Sequence, residues 1–261
     1  MSRQGFTIAV SGKGGVGKTM LASLLIRNLA RKGYVLAIDA DPDSNLPQAL
    51  GMTCKKSIGD VREAIVKAPA RSPIAADKAG AFERSLHELV EEGDSIDLVV
   101  MGRSEGPGCY CAIGHILRQV IDSKAANYDF TVIDCEAGLE HLSRHTTRDV
   151  DIMVVVAEPT LNGILTAKRV HELAKELNIA FGRIMVVANK VTDETRPLIG
   201  KLAAEHGLAI DAYLPFDSAV NCQDVNGRPM MQLPEDSPIS RSVAEFSESI
   251  LHLLTVENQL K

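Results

Sequence analysis

Between an apolar run, Phe6-Thr7-Ile8-Ala9-Val10-Ser11, and a helical pattern opening at Lys18 stands Gly12-Lys13-Gly14-Gly15-Val16-Gly17-Lys18-Thr19. Nothing else in the chain restricts its fold as much. The spacing Gly-x4-Gly-Lys-Thr works only between a strand and a helix, where backbone N–H groups turn inward around an anion at the helix N-terminus. Both neighbours are present: Leu21, Leu24, Leu25 and Leu29 recur at helical spacing after the loop. The glycines free the backbone, and the helix adds partial positive charge. Lys18 is expected to reach the β- and γ-phosphates of ATP, and the Thr19 hydroxyl to ligate Mg²⁺. Gly12 through Thr19, with Met20 following, are therefore assigned to the nucleotide.

The rest of the chain repeats that alternation. Short β-branched runs occur at Phe6 to Ser11, Tyr34 to Asp39, Ile96 to Met101, Phe130 to Asp134, Ile152 to Ala157, Arg183 to Asn189 and Ile210 to Leu214, with helical patterns between them. Continuous apolar runs suit strands covered on both faces. The expected fold is α/β, a three-layer nucleotide-hydrolase architecture with a mostly parallel sheet of about seven strands and helices on each side. Near the C-terminus, Ile239, Val243, Phe246, Ile250 and Leu254 mark one helix face. The Ala- and Pro-rich stretch from Ala68 to Gly80 reads as a surface loop. No linker-like shift divides residues 1–261, which read as one domain.

Two acidic motifs follow strands. Phe130-Thr131-Val132-Ile133-Asp134 is an apolar strand ending in a carboxylate, the Walker B pattern, so Asp134 is expected to hold Mg²⁺ directly or through water. Asp39-Ala40-Asp41-Pro42-Asp43-Ser44-Asn45 begins at the end of the second strand, where carboxylates face the ligand crevice of an open sheet. Asp43 also suits the cap of the following helix.

Lys13 makes the loop unusual. The form Lys-Gly-Gly-x-Gly-Lys-Thr resembles the deviant Walker A of the MinD/ParA and nitrogenase iron protein group. That resemblance implies a homodimer closed around ATP, with Lys13 crossing to the partner's phosphates; a cation supplied in trans stabilises phosphoryl charge only on closure. It implies that Lys13, Lys18 and Asp41 are catalytic, Asp41 by orienting the attacking water. Asp43 then lies in the segment that responds to the γ-phosphate. Cys135-Glu136-Ala137-Gly138 resembles switch II, with the Gly138 N–H offered to that phosphate. Asn189 and Lys190, ending one strand, and Pro215 and Asp217, ending the next, fall where the group contacts the purine. A guanine motif, Asn-Lys-x-Asp, would need an acid one place before Asp193, so ATP is the expected nucleotide.

Cys109-Tyr110-Cys111 follows a glycine-rich tract. One Cys-x-Cys supplies two thiolates, too few for a four-coordinate site; two copies across a dimer supply four. Four sulfurs suit Zn²⁺, Ni²⁺ or an Fe–S cluster, and two small buried cysteines are the reading without a metal. Together the deviant loop, Asp41-Pro42-Asp43-Ser44, Cys-Tyr-Cys and Gly138-Leu139-Glu140-His141-Leu142-Ser143-Arg144 resemble the CooC-type nickel-insertion ATPases over essentially the whole chain. The resemblance implies Ni²⁺ or Zn²⁺ at paired Cys109 and Cys111. It also implies a nickel-iron-sulfur metalloenzyme such as carbon monoxide dehydrogenase as partner. His141 and His145 stand four apart, a spacing that can chelate a metal, and His115 follows the cysteines, but solvated or hydrogen-bonded structural roles suit all three better.

Composition narrows the partners. A net charge of −6 and the absence of Trp argue against nucleic acid. No run approaches the roughly 20 apolar residues of a membrane span. Five cysteines without a disulfide layout, and only Met1 to Gln4 before the first strand, lead to a cytoplasmic expectation. Rival readings are a positioning ATPase, an Fe–S reductase like the nitrogenase iron protein, and a phosphotransferase of the dethiobiotin synthetase kind.

Overall fold

In the computed structural model, which describes residues 5–69, 85, 87–103, 117–119, 121, 123–136, 149–176 and 180–259, the apolar runs are strands of one sheet. β1 (Phe6–Gly12), β2 (Val35–Ala40), β3 (Val90–Glu91), β4 (Ile96–Val100), β5 (Phe130–Cys135), β6 (Asp149–Ala157), β7 (Ala180–Val191) and β8 (Ala212–Pro215) are ordered β3-β4-β2-β5-β1-β6-β7-β8. Neighbours are parallel throughout except β3 against β4. The sheet thus has eight strands among the described residues, not about seven. The additional one pairs only Val90 with Val99 and Glu91 with Leu98, and two residues carry no readable period.

Burial on both sides explains the apolar runs. All six residues of β2 and of β5 are buried. Successive side chains go to opposite layers, as the pleat requires. Ile8 and Val10 join the cluster formed with α1 (Lys18–Leu29), α2 (Leu46–Leu50) and α7 (Pro238–Gln259). Ala9 joins the opposite cluster, which contains residues of α3 (Ile58–Val66), α4 (Leu161–Glu176) and α5 (Thr195–Glu205). A short helix, α6 (Ser218–Val225), follows β8.

The leucines after the loop and the C-terminal stripe meet in one layer. Leu21, Leu24, Leu25 and Leu29 are fully buried, and Ile239, Val243, Phe246, Ile250 and Leu254 are at most 3% exposed. Burying each such side chain contributes about 1.5–3 kcal/mol. The Asn28 amide donates to Ser247 Oγ at 3.2 Å, and Arg27 lies buried with a guanidinium N–H on the Leu233 carbonyl at 2.7 Å. Consequently α1 is held from behind by later chain, while its N-terminus opens at the carboxyl ends of the central strands. Among the described residues, no helix is long and apolar enough to cross a membrane.

Candidate nucleotide site

The loop between β1 and α1 is shaped by close approaches. Gly12 lies so near β6 that a Cβ there would stand 2.3 Å from the Val156 carbonyl oxygen. Gly17 has φ +96°, and a Cβ on it would meet the Asn189 amide nitrogen at 2.4 Å. Either position admits only glycine without moving backbone or a buried side chain. Val16 is buried, Lys13 is exposed, and the Lys13 ammonium makes no ion pair among the described residues. Lys18 is buried, its Nζ donating to the Lys13 carbonyl at 3.4 Å. The Met20 side chain belongs to the core, which leaves only its backbone N–H for a ligand.

Whether these residues suit a nucleotide with Mg²⁺ can be tested on the chain itself. Apart from the adjacent residues, no atom lies within 4 Å of where a Cβ on Gly14 or Gly15 would stand, so the middle of the loop is uncrowded and open to a ligand. α1 begins without a side-chain cap and without an acid in its first turn, leaving its N–H groups and positive end for an anion. The Thr19 hydroxyl donates to Asp134 Oδ2 at 2.6 Å. Asp134 Oδ1 is buried with no hydrogen-bond partner among the described residues, an arrangement that calls for a further cation or water. The donor set, hydroxyl plus carboxylate oxygen, is what Mg²⁺ takes. The residues fit.

Electrostatics agree with that fit. Asp39 and Asp134 are paired across β2 and β5, and both are buried. Burial, and after it the neighbouring Asp134 charge, pushes Asp39 up to about 7. Burial pushes Asp134 up to about 6, against the pull of the Thr19 hydroxyl and Lys18. Two carboxyls that resist ionisation side by side are relieved by a divalent cation.

The Asp39-to-Asn45 run is built around Asp39. Its Oδ1 accepts from the Asp41 N–H and its Oδ2 from the Leu46 N–H, each at 3.0 Å. Asp39 therefore satisfies the first turn of α2, whose N-cap Asn45 makes no side-chain bond. Asp43 does not cap that helix. Asp43 Oδ1 instead pairs with Arg103 at 2.8 Å, and its N–H donates to Asp41 Oδ1 at 3.0 Å. Asp41 is half-buried between them.

Arg103 sits where the chain leaves β4, and that exit is tightly held. Gly59 N donates to the Met101 carbonyl at 2.9 Å, and a Cβ on Gly59 would stand 2.1 Å from the Arg103 carbonyl oxygen. Cys109, Cys111, His115, Gly138, His141 and His145 lie outside the described residues. Among those described, no group of three or more His, Cys, Asp and Glu is arranged for a metal ion.

The expected purine contacts divide. Asn189 is 3% exposed and its Nδ2 donates to the Val16 carbonyl at 2.8 Å. Lys190 Nζ donates to the Gly15 carbonyl at 2.9 Å and to Glu158 Oε1 at 3.0 Å. Both side chains hold the loop. Pro215 ends β8, and Asp217 caps α6 by accepting from the Ala219 N–H at 2.9 Å and also accepts from the Ile239 N–H at 3.3 Å. Asp39, Arg103 and Glu158 were not singled out from sequence. Arg103 and Glu158 work through partners remote in the chain and Asp39 through a local turn, and only the strand-end position of Asp39 carried any signal.

Comparison with known proteins places this geometry. The profile of the CobQ/CobB/MinD/ParA nucleotide binding domain matches residues 7–230. An uncharacterized ATP-binding protein of Methanocaldococcus jannaschii is 46% identical over 94% of this chain and 98% of its own. The carbon monoxide dehydrogenase accessory protein CooC of Rhodospirillum rubrum is 32% identical over 84% of this chain and 87% of its own. Among solved structures, the septum site-determining protein MinD of Pyrococcus horikoshii, complexed with Mg-ADP, superposes with TM-score 0.71. It is 20% identical, with 97% of this chain and 98% of that one covered.

Proposed function

The chain belongs to the CobQ/CobB/MinD/ParA nucleotide-binding family, and from that premise we propose an Mg²⁺-dependent ATPase that dimerises around ATP and carries a divalent metal to a metalloenzyme of the carbon monoxide dehydrogenase type. The observation supporting the nucleotide half is the pairing of Thr19 with Asp134, whose second oxygen is buried beside the loop with no partner among the described residues. The metal half rests on Cys109-Tyr110-Cys111 and on likeness to the Rhodospirillum rubrum accessory protein.

The residues divide the work. Lys18 and the loop N–H groups bind the β- and γ-phosphates, and Lys13 of the facing subunit adds charge on closure. Thr19 and Asp134 would hold Mg²⁺, which when bound neutralises charge on the phosphate oxygens. Asp41, held by its own turn against Asp43, orients the attacking water. Asn189 favours adenine: with Nδ2 on the Val16 carbonyl, its Oδ1 remains as an acceptor for an exocyclic amine, which guanine lacks at that position.

The Arg103–Asp43 pair supports coupling between nucleotide and cargo. It joins the loop after β2 to the chain that reaches Cys109 six residues later. Cys109 and Cys111 from two subunits would form one Ni²⁺ or Zn²⁺ site, opened or closed by the nucleotide state.

Anaerobic titration of the purified protein with Ni²⁺ and Zn²⁺, with and without ATP, tests this reading. One tightly bound ion per dimer, with affinity altered by ATP, is expected. A brown protein with stoichiometric iron and sulfide would make it an Fe–S reductase. ATP-driven dimers that bind no metal would make it a positioning ATPase like MinD.

A further inference from the structure

The end of β7 is irregular exactly where it meets the loop. Ala188 pairs with Tyr213 and Val191 with Pro215, so two residues, Asn189 and Lys190, face the single residue Leu214. This is a β-bulge. Lys190 lies in it at φ +61°, one of two described residues other than glycine with positive φ. In a regular strand, Asn189 and Lys190 would point to opposite faces. Here both reach the same loop, on successive carbonyls: Asn189 on Val16 and Lys190 on Gly15.

Those two carbonyls decide where two donors point. A trans peptide sets its C=O and N–H in opposite directions. Drawing the Gly15 carbonyl to Lys190 turns the Val16 N–H away from β7. Drawing the Val16 carbonyl to Asn189 does the same for the Gly17 N–H. Glu158, just past the end of β6, fixes the Lys190 ammonium at 3.0 Å and balances its charge. Backbone strain held in place by surrounding contacts is a mark of a working site.

We infer that Lys190 and Glu158 are positioning residues: they hold the phosphate-binding loop with two consecutive N–H groups presented to the phosphates, and do not themselves recognise the base. This rests on the reading of the loop as an ATP site. Lys190 acts on the Gly15 peptide, and Glu158 acts through Lys190.

The test compares ATP with adenosine, which carries no phosphate, by displacement of a fluorescent ATP analogue. In Lys190→Met, which keeps the aliphatic stem and removes the donor, ATP affinity should fall roughly 10- to 100-fold, as for loss of a hydrogen bond to a charged group. Adenosine affinity should stay within about twofold. Lys190→Arg should recover most of the ATP affinity. Glu158→Gln should weaken ATP binding in the parent background and add nothing to Lys190→Met. Equal losses for ATP and adenosine would make Lys190 a base contact and overturn the inference. Unchanged ATP affinity in Lys190→Met overturns it as well. A parent protein that binds no ATP overturns the nucleotide reading and this inference together, which separates the two failures.

Discussion

Thr19 Oγ1 lies 2.6 Å from Asp134 Oδ2, bonding the first turn of α1 to the end of β5 across 115 residues of sequence. The contact joins the two groups expected at Mg²⁺, and beside it stands the second buried carboxyl, Asp39. Its first consequence is a pH dependence. The folded values of Asp39 and Asp134, about 7 and about 6, lie above the ordinary carboxyl value of 3.8. Between about pH 4 and 7 the folded protein therefore holds protons that the unfolded chain has released. The contribution of these two carboxyls to the stability of the metal-free protein is greatest below that window and is lost as pH rises through it. Mg²⁺ must displace the same two protons, so its affinity should rise by up to about tenfold per pH unit for each proton displaced and level off above pH 7. Asp134→Asn should lose most Mg²⁺-dependent nucleotide retention and flatten the rise. An Mg²⁺ affinity indifferent to pH across the window would show that both carboxyls are ionised without the metal.

Asp41→Ala removes a half-buried carboxylate that is no part of the phosphate-binding loop. ATP binding should stay near that of the parent, while hydrolysis slows by roughly 10²- to 10⁴-fold, the usual range for a positioned acid–base group. Single-turnover hydrolysis beside equilibrium binding separates the two effects. Near-normal turnover would remove Asp41 from the mechanism.

Lys13 is exposed and without an ion pair among the described residues, so its removal should spare the monomer fold. Lys13→Ala is expected to bind nucleotide but to lose nucleotide-dependent dimerisation and most hydrolysis. Sedimentation with a non-hydrolysable ATP analogue reads this directly. Dimerisation equal to the parent's would refute the role in trans.

Serine at Cys109 and Cys111 should abolish tight Ni²⁺ or Zn²⁺ binding, because a neutral hydroxyl does not replace a soft thiolate. ATP binding by the monomer should be unaffected. By linkage, a nucleotide that changes metal affinity must be changed in its own affinity by the same factor when metal is present. A double variant that still binds one ion per dimer would end the metal assignment.

How far the sequence could be read depended on the range of each signal. β1 and α1 were legible because strand, loop and helix are contiguous and each has its own period. β3 was not, since two residues pair only because β4 lies alongside. The chemistry of Asp134 was visible as a carboxylate ending an apolar run. Asp39 ends a similar run, yet its capping of α2 depends on a turn that no spacing rule announces. For Asn189 and Lys190 the position was legible and the contacts were not. Their partners, Val16 and Gly15, lie 173 and 175 residues earlier, and the bulge that aims both at the loop is invisible in an ordinary Val-Ala-Asn-Lys run.

The packing of α7 on α1 has a consequence for biosynthesis. α1 ends at Leu29, and the helix that covers its back begins at Pro238, about two hundred residues later. A nascent chain that has not yet delivered Val243, Phe246 and Ile250 leaves one flank of α1 wet, although the loop itself emerged from the ribosome long before. The helix whose N-terminus opens at the loop therefore gains its full apolar support only in chains whose synthesis has reached α7.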